Sequence, residues 1–126
     1  MASQADLEIV AQGNKKWMEV FASEKISQGL GDCYHHDAQL THFGTFGAFH
    51  GPQPIADFFQ NFLHGQVGAR NPVLTSHVVQ RIDENTIYEL GKVKASLAAG
   101  GEIEAPYTVV WTKGSNNEYK IKYDTF

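Results

Sequence analysis

Several features that mark large protein classes are absent from this sequence. Its single cysteine, Cys33, cannot form a disulfide within the chain, which argues against a disulfide-stapled secreted domain and favours a reducing compartment. No apolar run approaches the roughly 20 residues of a membrane-spanning helix. The first residues, Met1 to Asp6, lack the charged and apolar regions of a signal peptide. We therefore expect a cytoplasmic protein without a membrane anchor.

The charge distribution excludes two further classes of partner. The net charge is −4, with acidic and basic residues interspersed. No basic stripe favours nucleic acid, and no polybasic run favours an anionic membrane. The sequence also lacks a Walker motif, a GxSxG elbow and a glycine-rich dinucleotide fingerprint, so no cofactor is predicted.

The 126 residues and their 42% hydrophobic content suit one globular domain, spanning residues 1–126. Ser3 and Asp6 have the spacing of a capping box, and the apolar stripe that follows predicts a helix to about Ser23. Residues 26–34 predict a second, shorter helix. Residues 55–63 predict a third, which follows Pro52 and Pro54 and ends near Gly65.

Strand patterns dominate the second half. Residues 73–82, 87–97, 103–112 and 119–125 are rich in β-branched and aromatic residues, and short turns separate them. An earlier strand is predicted at 38–43, followed by a loop or short hairpin at 44–51. Helices followed by strands predict an α+β fold, in which a curved antiparallel sheet wraps over three helices and leaves a cavity.

Alternation along the predicted strands indicates which side chains face inward. Lys92 and Lys94 favour solvent, so Glu89 should lie on the opposite, buried face. Leu40 and His42 share a face, and Leu40 favours the buried one. Asp124 shares a phase with two lysines, and only a bulge would turn it inward.

The segment His35-His36-Asp37 resembles a metal cluster at first sight. Adjacent residues of an extended strand point to opposite faces, so both histidines should not reach one ion. No metal site is predicted. These residues are interpreted as a partly exposed joint before the strand.

The order of these elements and the residues at their joints resemble the nuclear transport factor 2-like superfamily, especially its SnoaL-like and ketosteroid-isomerase-like members. The resemblance covers about residues 7–126. Its marks are Trp17 and Phe21, residues 34–38, Phe49-His50-Gly51, Ile55 with Phe58-Phe59, residues 88–92, Val109-Val110-Trp111 and Tyr119-Lys120-Ile121 with Asp124. It implies a cone-shaped, cystatin-like α+β barrel with a pocket at its wide end, and a homodimer that packs through the sheet.

The resemblance also implies candidate site residues. His42 falls where ketosteroid isomerases carry a proton-shuttling aspartate, so it is the first candidate for general acid–base catalysis, assisted by Glu89 or Asp124. For His42 the alternative is a pocket histidine without chemistry, and for Glu89 a structural carboxylate bonded to a helix or to His77. The residues expected to bind a small apolar or aromatic molecule are Trp17, Phe21, Phe59, Phe62, Tyr107, Val109 and Trp111.

The sequence departs from the ketosteroid isomerases at the groups that stabilise their enolate. Trp17 takes the place of the helical tyrosine, and Val109 or Thr108 takes the place of the later acid. The standard steroid reaction is therefore not expected. Three hypotheses stay open: an isomerase or lyase acting on a small carbonyl compound, a non-catalytic binder of a hydrophobic ligand, and a dimerising association module.

Overall fold

Three helical segments pack against one face of a curved, unclosed sheet of six strands, in a computed structural model that describes residues 2–126. This arrangement confirms the predicted α+β class. None of the helices in this part of the chain combines the length and hydropathy that a membrane crossing requires.

The first helix, α1, spans Gln4–Ala22 and begins at the predicted capping box. The Ser3 hydroxyl accepts a hydrogen bond from the Asp6 amide at 3.1 Å, and the Asp6 carboxylate accepts one from the Ser3 amide at the same distance. One stripe of α1 is buried, and it contains Val10, Asn14, Trp17 and Phe21. This stripe faces the sheet.

The other helical segments are shorter or less regular than predicted. Helix α2 spans Ile26–Gly29 and continues as a 3₁₀ turn over Leu30–Cys33. Helix α3 spans Pro52–Phe58 and widens into a π-helical stretch over Phe59–Val67. The predicted stop at Gly65 is wrong, because the chain ends this helix at Gly68, whose φ of 80° suits the left-handed cap that glycine adopts most readily.

The strands are β1 (Tyr34–His42), β2 (Gly47–His50), β3 (Ala69–Asp83), β4 (Thr86–Leu97), β5 (Glu102–Lys113) and β6 (Tyr119–Thr125). Their order across the sheet is β2-β1-β6-β5-β4-β3. Strands β3 to β6 form the predicted antiparallel meander, but β1 pairs with β6 in parallel. The sheet is therefore mixed, with one parallel strand pair among antiparallel ones.

The contact between α1 and the sheet depends on a glycine. A Cβ atom built on Gly13 would overlap the ring of Trp111, which is buried on β5 beneath the helix. Glycine in a helix interior is normally unfavourable. Here it lets the helix backbone lie directly on an indole.

We expect Gly13→Ala to destabilise the protein by about 1–3 kcal/mol, because the added methyl group overpacks the helix–sheet contact. At an open helical position the same change stabilises by up to about 1 kcal/mol. Urea unfolding of the variant measures the difference. The exposed Gln12→Ala on the same helix is the control, and a Gly13→Ala variant as stable as the parent protein would contradict this packing.

Candidate functional site

An apolar cavity of about 360 Å³ lies between the helices and the inner face of the sheet. Its lining comes from α1, the π-helical end of α3, the turn after β1 and the strands from β3 onward. The lining residues that bear on its chemistry are Asn14, Trp17, His42, Thr45, Tyr107 and Asp124. A largely apolar wall with few polar groups is the usual construction of a site for a small organic molecule.

Six of the seven residues expected to bind a ligand line this cavity: Trp17, Phe21, Phe59, Phe62, Tyr107 and Val109. The seventh, Trp111, does not. It lies on the predicted inner face of β5 but farther along the strand, where α1 covers it at Gly13. Alternation indicates which face of a strand a residue occupies, but it does not indicate which part of the strand borders the cavity.

Glu89 lies inside the protein, as alternation predicts, but it is not part of the cavity wall. Its side chain is fully buried, and it accepts three hydrogen bonds. The donors are Asn14 Nδ2 at 2.8 Å, Tyr107 Oη at 2.6 Å and Trp111 Nε1 at 3.0 Å. A buried carboxylate with this many donors is well compensated for its lost hydration. The geometry favours a structural role over direct contact with a ligand.

Asp124 also points inward, and it does reach the cavity wall. A register shift between β5 and β6 turns its side chain to the same face as Ile121, three residues earlier. Its Oδ2 atom accepts a hydrogen bond from the Tyr34 hydroxyl at 2.6 Å, and that hydroxyl accepts one from the Trp17 indole at 3.1 Å. The side chain of Asp124 is therefore held in place by a residue of β1 and, through it, by α1.

Burial raises the pKa of Asp124 to about 7, opposed by the hydrogen bond from Tyr34 and reinforced by the negative charge of Glu89. Tyr34 is held in the neutral form, because burial and then the charge of Asp124 raise its pKa well above the ordinary value. The carboxyl group of Asp124 can therefore exchange a proton near neutral pH. A general acid or base is most effective when its pKa lies near the working pH.

His42 lines the cavity and is half-buried, with its ring among Phe58, Phe62 and Phe126. Its Nδ1 atom accepts a hydrogen bond from the Thr45 amide at 3.1 Å. An accepting Nδ1 carries no proton, so the neutral ring carries its proton on Nε2. Burial lowers the pKa of His42 and further favours this neutral form. His42 is thus arranged as a hydrogen-bond donor through Nε2 rather than as a base.

His42 and Asp124 line the same cavity from neighbouring strands. Leu40 of β1 pairs with Asp124 of β6, and His42 is two residues beyond Leu40. At about 3.3 Å per residue, the two side chains are offset by roughly 6–7 Å along the strands. One small molecule can contact both.

The predicted separation of His35 and His36 is wrong. Their rings lie with centroids 4.6 Å apart, because the pairing of β1 with β6 is irregular between Tyr34 and Gln39. His77 is exposed and is not among the three side chains that donate hydrogen bonds to Glu89 within residues 2–126.

Sequence reasoning missed the supporting residues Asn14, Tyr34 and Phe126. Asn14 interrupts the apolar stripe of α1, and a buried amide at such a position signals a polar partner across the core. Tyr34 and Phe126 carried no comparable signal. Their roles depend on the pairing of β1 with the end of the chain.

No protein-family model matches the sequence, and no curated protein matches it. Solved structures do resemble the fold. A cystatin-like domain of unknown function from Nostoc punctiforme is 16% identical, with a TM-score of 0.82 over 98% of this chain and 77% of that one.

Two further structures show the same architecture. An NTF-2-like protein of unknown function from Shewanella oneidensis is 11% identical, with a TM-score of 0.77 over 94% of this chain and 96% of that one. A ketosteroid isomerase-like protein from Erwinia carotovora is 12% identical, with a TM-score of 0.74 over 98% and 95%. The chain has the nuclear transport factor 2-like fold. The resemblance drawn from the sequence is confirmed at the level of this fold.

We expect Asp124→Asn to stabilise the protein at neutral and alkaline pH. The folded-state pKa of about 7 lies above the unfolded value of about 3.9. The folded state therefore binds more protons between these pH values, and the contribution of Asp124 to stability falls as the pH rises through that window.

Denaturant unfolding from pH 4 to pH 8 measures this effect. The variant should exceed the parent protein by up to about 4 kcal/mol at pH 8, and the difference should shrink towards pH 4. The exposed Asp32→Asn should change stability by less than about 0.5 kcal/mol. A constant or inverted difference between Asp124→Asn and the parent would contradict the assigned environment of Asp124.

Proposed function

We propose that the chain is a small-molecule pocket protein that performs general acid–base chemistry on an apolar carbonyl compound, with Asp124 as the proton-transferring group. One observation carries this proposal. Asp124 is only 6% exposed, and its Oδ2 atom is held by Tyr34. The side-chain hydrogen bonds within residues 2–126 leave its Oδ1 atom without a partner, and the residue lines the cavity. A rigid carboxyl group with one free oxygen in an apolar site suits proton transfer.

The proposed step uses the ionised form of Asp124. Its free oxygen takes a proton from the carbon next to the ligand carbonyl, and the C–H electron pair moves into an enolate. The His42 Nε2–H group donates a hydrogen bond to the enolate oxygen. Asp124 then returns the proton to the same carbon or to a conjugated one, so the net reaction is exchange or isomerisation.

The roles of the two groups differ from the expectation based on sequence. His42 was the first candidate for the base, but its accepting Nδ1 leaves the proton on Nε2. Asp124 was an assistant, but its position at the cavity wall supports the principal role. Glu89 does not line the cavity, but its negative charge helps to raise the pKa of Asp124.

A second candidate function is non-catalytic binding of a hydrophobic ligand. Other donors at or near the wall are already committed, since Tyr107 donates to Glu89 and the Trp17 indole donates to Tyr34. An enolate would thus receive a hydrogen bond from His42 with little further support. This scarcity of donors favours a binder, or an enzyme that acts on an easily enolised compound.

We expect the protein to accelerate proton–deuterium exchange at the α-carbon of small apolar ketones that it binds. Proton NMR in D₂O, with a panel of cyclic and aryl ketones, measures the exchange rate without knowledge of a natural product. Asp124→Asn should reduce the rate by about 10²–10⁴-fold, the usual contribution of a general acid or base. His42→Ala should reduce it less and leave its pH dependence in place.

The exposed His77→Ala is the control and should exchange at the parent rate. Ketones that bind to the parent protein without faster exchange would refute catalysis and leave the binding function. Equal exchange in the parent protein and Asp124→Asn would refute the role of Asp124.

We further propose that the chain forms a homodimer through the outer face of the sheet. Two rows of uncharged, cross-strand neighbours run over this face. They are Val78-Leu90-Thr108-Thr125 and Gln80-Tyr88-Val110-Tyr123. The ion pairs Lys92–Glu104 and Lys94–Glu102 lie beside them. An uncharged, partly apolar area with a charged rim resembles a protein interface. We also propose a cytoplasmic location, which fits a chain whose single cysteine, Cys33, is buried.

Analytical ultracentrifugation should give a mass of twice the 14.0 kDa chain. Tyr123→Lys should shift the protein towards the monomer, because Tyr123 is 48% exposed at the β6 end of the second row and the new charge would be buried in the proposed interface. The exposed Glu8→Lys on α1 is the control. A parent protein that is monomeric at all concentrations would contradict the proposal.

A further inference from the structure

The cluster His35-His36-Asp37 lies at the start of β1, outside the residues that line the cavity. The parallel pairing explains its shape. Tyr34 pairs with Ile121 and Gln39 pairs with Tyr123, so five steps along β1 match only two along β6. The extra residues of β1 bulge from the ladder, and the alternation that should separate the two histidines is lost.

The bulge brings three potential metal ligands together. The ring centroids of the two histidines are 4.6 Å apart, and His35 Nδ1 lies 2.6 Å from Asp37 Oδ1. One ligand atom from each residue lies within 4.8 Å of the other two. Ligands of a tetrahedral ion with bonds of about 2.0–2.1 Å are roughly 3.3 Å apart. Small rotations of the side chains would therefore complete such a set.

The surroundings of the cluster allow an ion to enter. His36 and Asp37 are exposed and His35 is half-buried, so an ion could reach these residues from solvent without crossing the core. Lys122 of β6 forms an ion pair with the other oxygen of Asp37. Its ammonium group is the one cation close to Asp37 within residues 2–126, and its long side chain can turn to solvent. Metal binding would thus have to compete with this lysine.

We propose that His35, His36 and Asp37 form a surface site for a divalent transition-metal ion. Two imidazoles with one carboxylate suit Zn²⁺, Ni²⁺ and Cu²⁺, whereas Mg²⁺ and Ca²⁺ prefer oxygen ligands alone. The remaining coordination positions would be filled by water or by an external ligand. Because the site forms only when β1 takes its folded path beside β6, bound metal would also stabilise the fold.

Isothermal titration of chelator-treated protein without an affinity tag tests this site, with Zn²⁺, Ni²⁺ and Mg²⁺ as probes. We expect one saturable Zn²⁺ or Ni²⁺ site for each chain and none for Mg²⁺. His36→Ala should weaken the affinity at least tenfold. Lys122→Met should strengthen it several-fold, because the competing cation is removed.

The exposed His77→Ala is the matched control and should bind within twofold of the parent. Thermal unfolding is the second measurement, since the parent protein should gain stability with Zn²⁺ while His36→Ala should not. Absence of saturable binding at millimolar Zn²⁺ and Ni²⁺ would overturn the proposal. So would equal affinity in His36→Ala and His77→Ala, or Mg²⁺ binding at the same residues.

Discussion

The hydrogen bonds to the buried carboxylate of Glu89 are the interactions on which the rest of this structure depends. Its three donors come from α1 and from β5, while Glu89 itself belongs to β4, so one side chain connects the helix to two strands. A fully buried carboxylate is costly without such partners. Of the three donors only Asn14 lies on α1, so its hydrogen bond links that helix to the sheet.

The electrostatic influence of Glu89 extends to the cavity. Glu89 and Asp124 both pair with Val109, from opposite sides, on the inner face of three adjacent strands. Burial is the main cause of the raised pKa of Asp124, and the charge of Glu89 adds to it. The two carboxyl groups share one face of the sheet but have different environments. Glu89 is fully supplied with donors, whereas Asp124 has one donor and an open cavity. Such divergence separates a structural carboxylate from a group that can transfer protons.

Much of the fold could be predicted from local patterns. The capping box located the start of α1, and the alternation of lysines and apolar residues in β4 placed Glu89 inside. The parallel contact of β1 with β6 could not be predicted, since it joins residues about 85 positions apart and leaves no local signature. The support of Asp124 by Tyr34 depends on that contact. The aromatic residues that line the cavity were therefore predictable, but the polar contacts that hold Asp124 were not.

Predictions of side-chain direction from alternation fail where a strand departs from regular pairing. Alternation holds along β4, whose pairing with β5 is continuous, and there the inward residues were identified correctly. It fails at the bulge of β1, where two histidines meet, and a shift between β5 and β6 is what brings Asp124 inward. Irregular pairing re-aims single side chains without loss of the sheet. In this chain Asp124 and the cluster His35-His36-Asp37 both owe their positions to such irregularities. Positions where the alternation breaks are therefore the first places to look for reactive or metal-binding side chains.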